Sequence, residues 1–249
     1  MLVAKTTGVN DPHNKWFTVS YGAMAIIGGV SGLFISKKWG GYKSVFGKAI
    51  LILTLGLFLQ EFGQLMLTYY IYIKGVEELP YPSLGDIGYF GSMIMYITAG
   101  IYLARATGVK FTIKNSVNQV LAIVIPLALL STSYYIFLRD YGAVDWSQKL
   151  TVILNFGYPL GDATYISIAI LAFLFSRKVL GGVMRKGILL VIFALCAQYA
   201  ADFNFLFQTN RGTWTTAGYG DYLYFFSYFA MTVALLSLAL PSTNKQVEK

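Results

Sequence analysis

Charge is what this sequence has least of. Only 12% of its 249 residues are Asp, Glu, Lys or Arg, about half the share of an ordinary soluble domain. There is one cysteine, Cys196, so no internal disulfide can form. With one histidine, His13, in the N-terminal segment, no Cys/His metal cluster is possible either. No phosphate-binding glycine loop, nucleophile elbow or HExxH pattern occurs. No long apolar run carries a central lysine. These absences leave no reaction class indicated and no cofactor expected, and the sequence reads away from an enzyme.

What is present is apolar. Hydrophobic residues make up 56% of the chain and aromatic residues 16%. They gather in runs of roughly 20, the length that crosses a bilayer as helix. Seven spans are predicted, over about 16–36, 48–73, 84–104, 117–138, 150–176, 187–208 and 220–240. The connections are short, so residues 1–249 read as a single all-α integral membrane domain, a seven-helix bundle at the cell membrane. The first run begins after Lys15, lacks a small-residue cleavage pattern and is long enough to span, which argues against a cleavable signal.

The formal charge of +8 raises the question of nucleic acid, and its distribution answers it. Lys37, Lys38, Lys43 and Lys48 lie between spans one and two. Arg105, Lys110 and Lys114 follow span three, Arg177, Lys178, Arg185 and Lys186 join spans five and six, and Lys245 and Lys249 end the chain. The other connections hold Glu77, Glu78, Asp140 and Asp145. Alternate loops are basic, which predicts those loops and the C-terminus in the cytoplasm and the N-terminus outside. The bases set topology and meet anionic lipid headgroups of the bilayer, so no nucleic-acid partner is expected.

An internal repeat is also predicted. ILTLGLFLQEFGQLMLTYY sets beside LVIFALCAQYAADFNFLFQ without a gap, matching Gln60 with Gln198 and Gln64 with Asp202. Each pair is spaced i, i+4 and so lies on one helical face. SLGDIGYFGSMIMY then sets beside GYGDYLYFFSYFAM, matching Asp86 with Asp221. Span five carries YPLGDATY against YPSLGDIGY, which adds Asp162 to the set. The chain reads as one leading helix plus three repeated helical hairpins. Asp86, Asp162 and Asp221 are each expected to follow a glycine at the outer start of an inward-running helix. Ser83-x-x-Asp86 fits a capping box, and Pro82 and Pro159 fit helix starts.

Deeper polar residues are harder to assign to capping. Glu61 falls roughly 20 Å and Asp202 roughly 24 Å from the inner side, at about 1.5 Å per helical residue. A charge at such depth costs at least about 2.5–3.5 kcal/mol, and no lysine or arginine sits level with either. An interhelical amide–carboxyl network, a ligand or ion cavity and a proton path all remain open. The candidate ligand-binding residues are Glu61, Gln64, Asp86, Asp162, Gln198, Asp202 and Asp221, with Tyr89, Tyr165 and Tyr199 beside them. Tyr224 also lies near the acids and can face the pocket, while most other outer tyrosines, among them Tyr70, Tyr81 and Tyr158, read as an interfacial belt. An acidic pocket lined by tyrosine suits a small cation or amine.

Seven spans with an outside N-terminus suggest a microbial rhodopsin, but the last span has no Schiff-base lysine. PYPSLGDIGYF, YPLGDATYI and AADFNF with YGDYLYFFSY resemble a different group. They are similar to the multi-span N-terminal membrane regions that precede diguanylate cyclase and histidine kinase domains in bacterial signalling proteins. The resemblance covers roughly 48–240 and implies a sensory or ligand-responsive module. No cyclase or kinase domain follows span seven, so output is expected through a cytoplasmic or membrane signalling partner. The alternative is a small transporter or cation/proton channel. Against it stands the apolar inner half of each span, such as FAMTVALLSLAL, which favours a one-sided cavity over a pore.

Overall fold

The computed structural model describes residues 12–106, 116–139, 145–176 and 183–239. Lys110, Lys114, Asp140, Arg177, Lys178, Lys245, Lys249 and the end of the last predicted span lie outside them. The main elements among the described residues are helices: α1 Pro12–Ser20, α2 Ala23–Lys38, α3 Val45–Thr68, α4 Leu84–Ala106, α5 Ser116–Ser133, α6 Lys149–Ser176, α7 Val183–Asn210 and α8 Tyr219–Ser237. Single π turns extend α3 over Tyr69–Ile73 and α5 over Tyr134–Leu138. Helix is the form that apolar runs must take in lipid, where every backbone N–H and C=O needs an internal partner.

Six stretches are long and apolar enough to cross a membrane: His13–Lys38, Val45–Ile73, Leu84–Ala106, Ser116–Leu138, Lys149–Phe175 and Lys186–Asn210. They match the first six predicted spans closely and fit a multi-pass membrane protein. The first is broken at Tyr21–Gly22 into α1 and α2. At the break the Thr18 carbonyl takes a hydrogen bond from Gln64 Nε2 at 3.1 Å. α8 is a 19-residue helix that carries four tyrosines and Asp221 and is not among the six.

Packing follows a closed order. α2 packs on α3, α3 on α4, α4 on α6, α6 on α7, α7 on α8, and α8 returns to α2. α5 stands outside this ring against α6, with Ser133 its one buried residue, and its final turn reaches α7. Directions can be read from paired ends. Trp39 Nε1 donates to the Leu238 carbonyl at 2.7 Å, so α2 and α8 finish together. Tyr158 in α6 reaches Asp86 at the start of α4, and further along Gly161 meets Met93 and Ile168 meets Gly100, so these two run parallel. α2, α4, α6 and α8 therefore run one way, and α3 and α7 the other.

Local signals place the helix starts. Ser44 Oγ accepts from Gly47 N–H at 2.8 Å and caps α3. At α4 the capping box is complete: Gly85 N–H donates to Ser83 Oγ at 3.1 Å, and Ser83 N–H donates to Asp86 Oδ2 at 2.6 Å. At α8 the Ala217 N–H donates to Asp221 Oδ2 at 2.7 Å. Span five differs from expectation. Pro159 lies inside α6 and starts no helix, so Asp162 is a mid-helix residue and caps nothing. The upstream segment KLTVILNFGY is apolar and helical, and a membrane helix tolerates an interior proline when neighbours make good the lost bond.

Candidate ligand-binding site

One end of the ring holds a partly open cavity of about 110 Å³. It lies where α3 and α7 finish and α4 and α8 begin, beside the middle of α6. α3 contributes Gln60, Gly63, Gln64 and Leu67. α4 and the segment before it contribute Leu79, Pro80, Tyr81, Ser83, Asp86, Tyr89 and Met93. α6 adds Tyr158 and Asp162, α7 adds Asp202, Phe205, Leu206 and Thr209, and Trp214, Asp221, Tyr224 and Tyr228 close the wall. Tyr21 and Tyr70 complete it. Four carboxylates and seven tyrosines thus share one cavity, and no lysine or arginine lines it.

The carboxylates differ in what holds them. Asp86 divides its oxygens: Oδ2 takes the two Ser83 donors of the cap, and Oδ1 accepts from Tyr158 at 2.8 Å. Capping and cavity lining are therefore both true of this one side chain. Asp202 is the most fully engaged. Tyr165 donates to its Oδ2 at 2.9 Å, and Gln198 Nε2 and Tyr224 donate to its Oδ1, each at 2.9 Å. Asp221 spends one oxygen on its cap. Asp162 is 4% exposed, and its carboxyl makes no hydrogen bond to any described residue.

The amides knit the helices below. Gln64 Oε1 accepts from Tyr21 and Tyr89. Gln60 donates to Ser92 Oγ at 2.8 Å and accepts from Tyr228 at 3.1 Å. Ser227 donates to Gln198 Oε1. The two outer hairpins use matching positions for these bonds. Gln60 meets Ser92, six residues after Asp86, and Gln198 meets Ser227, six residues after Asp221. Tyr89 reaches Gln64, and Tyr224 reaches Asp202, each tyrosine three residues after its aspartate.

Of the ten residues singled out in the sequence, Gln64, Asp86, Tyr89, Asp162, Asp202 and Asp221 line the cavity. Gln198 and Tyr165 stand one hydrogen bond behind, holding Asp202. Two lie elsewhere. Glu61 faces α2: a Cβ built on Gly22 falls 1.8 Å from its Oε2, which is buried without a partner. It sits one helical step from Gln60, and that step turns its side chain toward a different neighbour. Tyr199 faces the α5 side, against Phe203 and the edge of Tyr165, with a hydrogen bond to Ser133.

Tyr70, Tyr81 and Tyr158, assigned to the interfacial belt in the sequence, line the cavity instead. Tyr158 carries a readable signal, since it stands four residues before Asp162 and so on the same helical face. Tyr228 does likewise, four residues after Tyr224. Trp214, in the connection before α8, has no periodicity to reveal it.

Beneath the cavity the ring is filled by apolar side chains. Ala25, Ile50, Leu53, Leu57, Leu103, Ile188, Val191, Leu195, Ala234 and Leu235 are all buried in one cluster. Three hydroxyls in this half donate to backbone carbonyls: Ser36 to Gly47, Thr54 to Ile50 and Thr232 to Met24. Among the described residues no three His, Cys, Asp or Glu side chains converge as metal ligands, so the cavity acids are dispersed around the wall. No protein family, curated protein or solved structure matches this chain.

Proposed function

We propose that the protein is a seven-span membrane ligand-binding or sensory module, N-terminus outside and C-terminus cytoplasmic. Its acidic, tyrosine-rich cavity opens outward and takes a small cation or amine. The bound state is read by a cytoplasmic or membrane signalling partner, as in the sensory membrane regions that the sequence resembles. The observation that carries this reading is the composition of the cavity wall: four carboxylates, seven tyrosines and no base. Such a wall creates a negative field that concentrates cations.

Other features support the finer points. α8 closes the ring between α7 and α2, which supports counting it as the seventh span. Lys37, Lys38, Lys43, Lys48 and Arg105 stand at the end of the ring away from the cavity, which supports an outward mouth. The matched hydrogen bonds of α3–α4 and α7–α8 support a repeat of the hairpin. The apolar fill beneath the cavity supports binding without passage.

Transport is the second reading, favoured by Glu61, whose buried Oε2 has no partner beside the break in the first span. The two readings separate by experiment. Thermal unfolding of the purified protein is measured in rising concentrations of organic-cation salts at constant ionic strength, and flux of the same cations is measured in proteoliposomes. Stabilisation without flux is the expected result. Flux that disappears in Glu61→Gln establishes transport instead, and no response of either kind sinks both readings.

A further inference from the structure

We infer that Asp162 is the anchor of the cavity, and that its ligand is a small organic ammonium bearing N–H groups and an apolar body. This rests on the cation-binding reading and narrows it. The starting point is an inequality among the acids. Asp86, Asp202 and Asp221 each accept hydrogen bonds from protein donors. Asp162 accepts none from the described residues, although it is 96% buried and lines the cavity.

A buried carboxyl with unused acceptor capacity is costly unless something supplies donors and offsetting charge. The phenols one turn away on its own helix are already committed. Tyr165, one turn along α6, donates to Asp202, and Tyr158, one turn back, donates to Asp86. The missing donor therefore enters from the cavity. A protonated primary or secondary amine brings both N–H donors and positive charge, whereas a quaternary ammonium brings charge alone.

The rest of the wall argues for an organic body. Leu67, Leu79, Phe205, Leu206 and Trp214 line the cavity as well, and they offer nothing to a bare inorganic ion. Size argues for a small one. The volume of about 110 Å³ is below the roughly 150 Å³ of an apolar cavity that admits benzene.

The test uses butylammonium chloride, its quaternary analogue butyltrimethylammonium chloride, 1-butanol and sodium chloride. Each is titrated to about 100 mM, roughly a hundredfold above a millimolar Kd, near neutral pH and at constant ionic strength. Thermal unfolding of the purified full chain is the readout. Only butylammonium is expected to raise Tm saturably. Asp162→Asn is expected to weaken its apparent affinity about 10- to 100-fold, the worth of a hydrogen bond to a charged group. Asp145→Asn, an exposed loop acid, is expected to leave it unchanged. An equal response to butyltrimethylammonium, or full affinity in Asp162→Asn, overturns the anchor but leaves a cation cavity standing. An equal response to sodium chloride overturns the organic ligand. No response to any cation overturns the inference together with the reading beneath it. Should Asp162→Asn fail to fold, the comparison of the two butyl cations on the unaltered protein decides the matter alone.

Discussion

Gly88→Ala tests the packing that sets the cavity wall. α3 and α4 approach so closely that a Cβ at Gly88 lies 2.4 Å from the Leu59 carbonyl oxygen, 2.5 Å from Gly63 N and 2.9 Å from Gly63 Cα. An acceptable carbon–oxygen approach is about 3.3–3.6 Å, so the two helices must part by about 1 Å. The obstructing atoms are backbone and cannot rotate away. Overpacking of this kind costs about 1–3 kcal/mol. Separation also stretches the Gln60–Ser92 bond, now 2.8 Å, and the Tyr89–Gln64 bond, now 3.2 Å, each worth about 0.5–1.5 kcal/mol. The expected loss is about 2–6 kcal/mol. Gly91→Ala is the control on the same helix. Its nearest neighbour is the Leu59 side-chain tip at 3.3 Å, which can move, and alanine gains up to about 1 kcal/mol in helix propensity. Thermal unfolding in mild detergent reads both. Gly88→Ala melting at or above Gly91→Ala refutes the close approach of α3 and α4.

Asp202→Ala leaves the Tyr165 and Tyr224 hydroxyls and the Gln198 amide without their acceptor. A loss of about 2–4 kcal/mol is expected in the same assay, since each buried orphan costs about 1–3 kcal/mol and cavity water relieves part of it. Asp86→Ala removes the α4 capping partner and frees Tyr158; about 1–2 kcal/mol should be lost, and an unchanged melt contradicts the cap. Gly22→Ala should lose about 1–3 kcal/mol by driving a Cβ into the Glu61 carboxyl. Adding Glu61→Ala should recover part of that loss, a coupling that a double-mutant cycle reads directly.

How far the sequence reveals such detail depends on what sets each feature. Six long helices were legible because the need to satisfy backbone in lipid acts on each run separately. Asp86 was legible as a cap because Ser83 and Asp86 are near neighbours, yet its bond to Tyr158 joins residues 72 apart in the chain. YPLGD in span five looks like YPSLGD before α4, but the flanking residues decide the outcome. An extended, proline-broken connection precedes Asp86, while an uninterrupted apolar helix precedes Asp162. The same limit applies around α3. Gln60, Glu61 and Gln64 are all polar at similar depth, and only the placement of α2 and α4 determines which of them meets the cavity. Periodicity names a face; neighbours assign its role.

The account rests on an outward-facing cavity that an organic cation occupies, and cysteine modification tests place and occupancy together. Cys196 is the only cysteine, so Cys196→Ala gives a clean background. Leu79→Cys then puts a thiol on the cavity rim, and Tyr42→Cys puts one at the opposite end, where that side chain is exposed. A membrane-impermeant maleimide applied to intact cells should modify the first from outside and the second only after permeabilisation, and butylammonium should slow the first reaction alone. Modification of Tyr42→Cys from outside, or a Leu79→Cys rate that butylammonium leaves unchanged, contradicts the account.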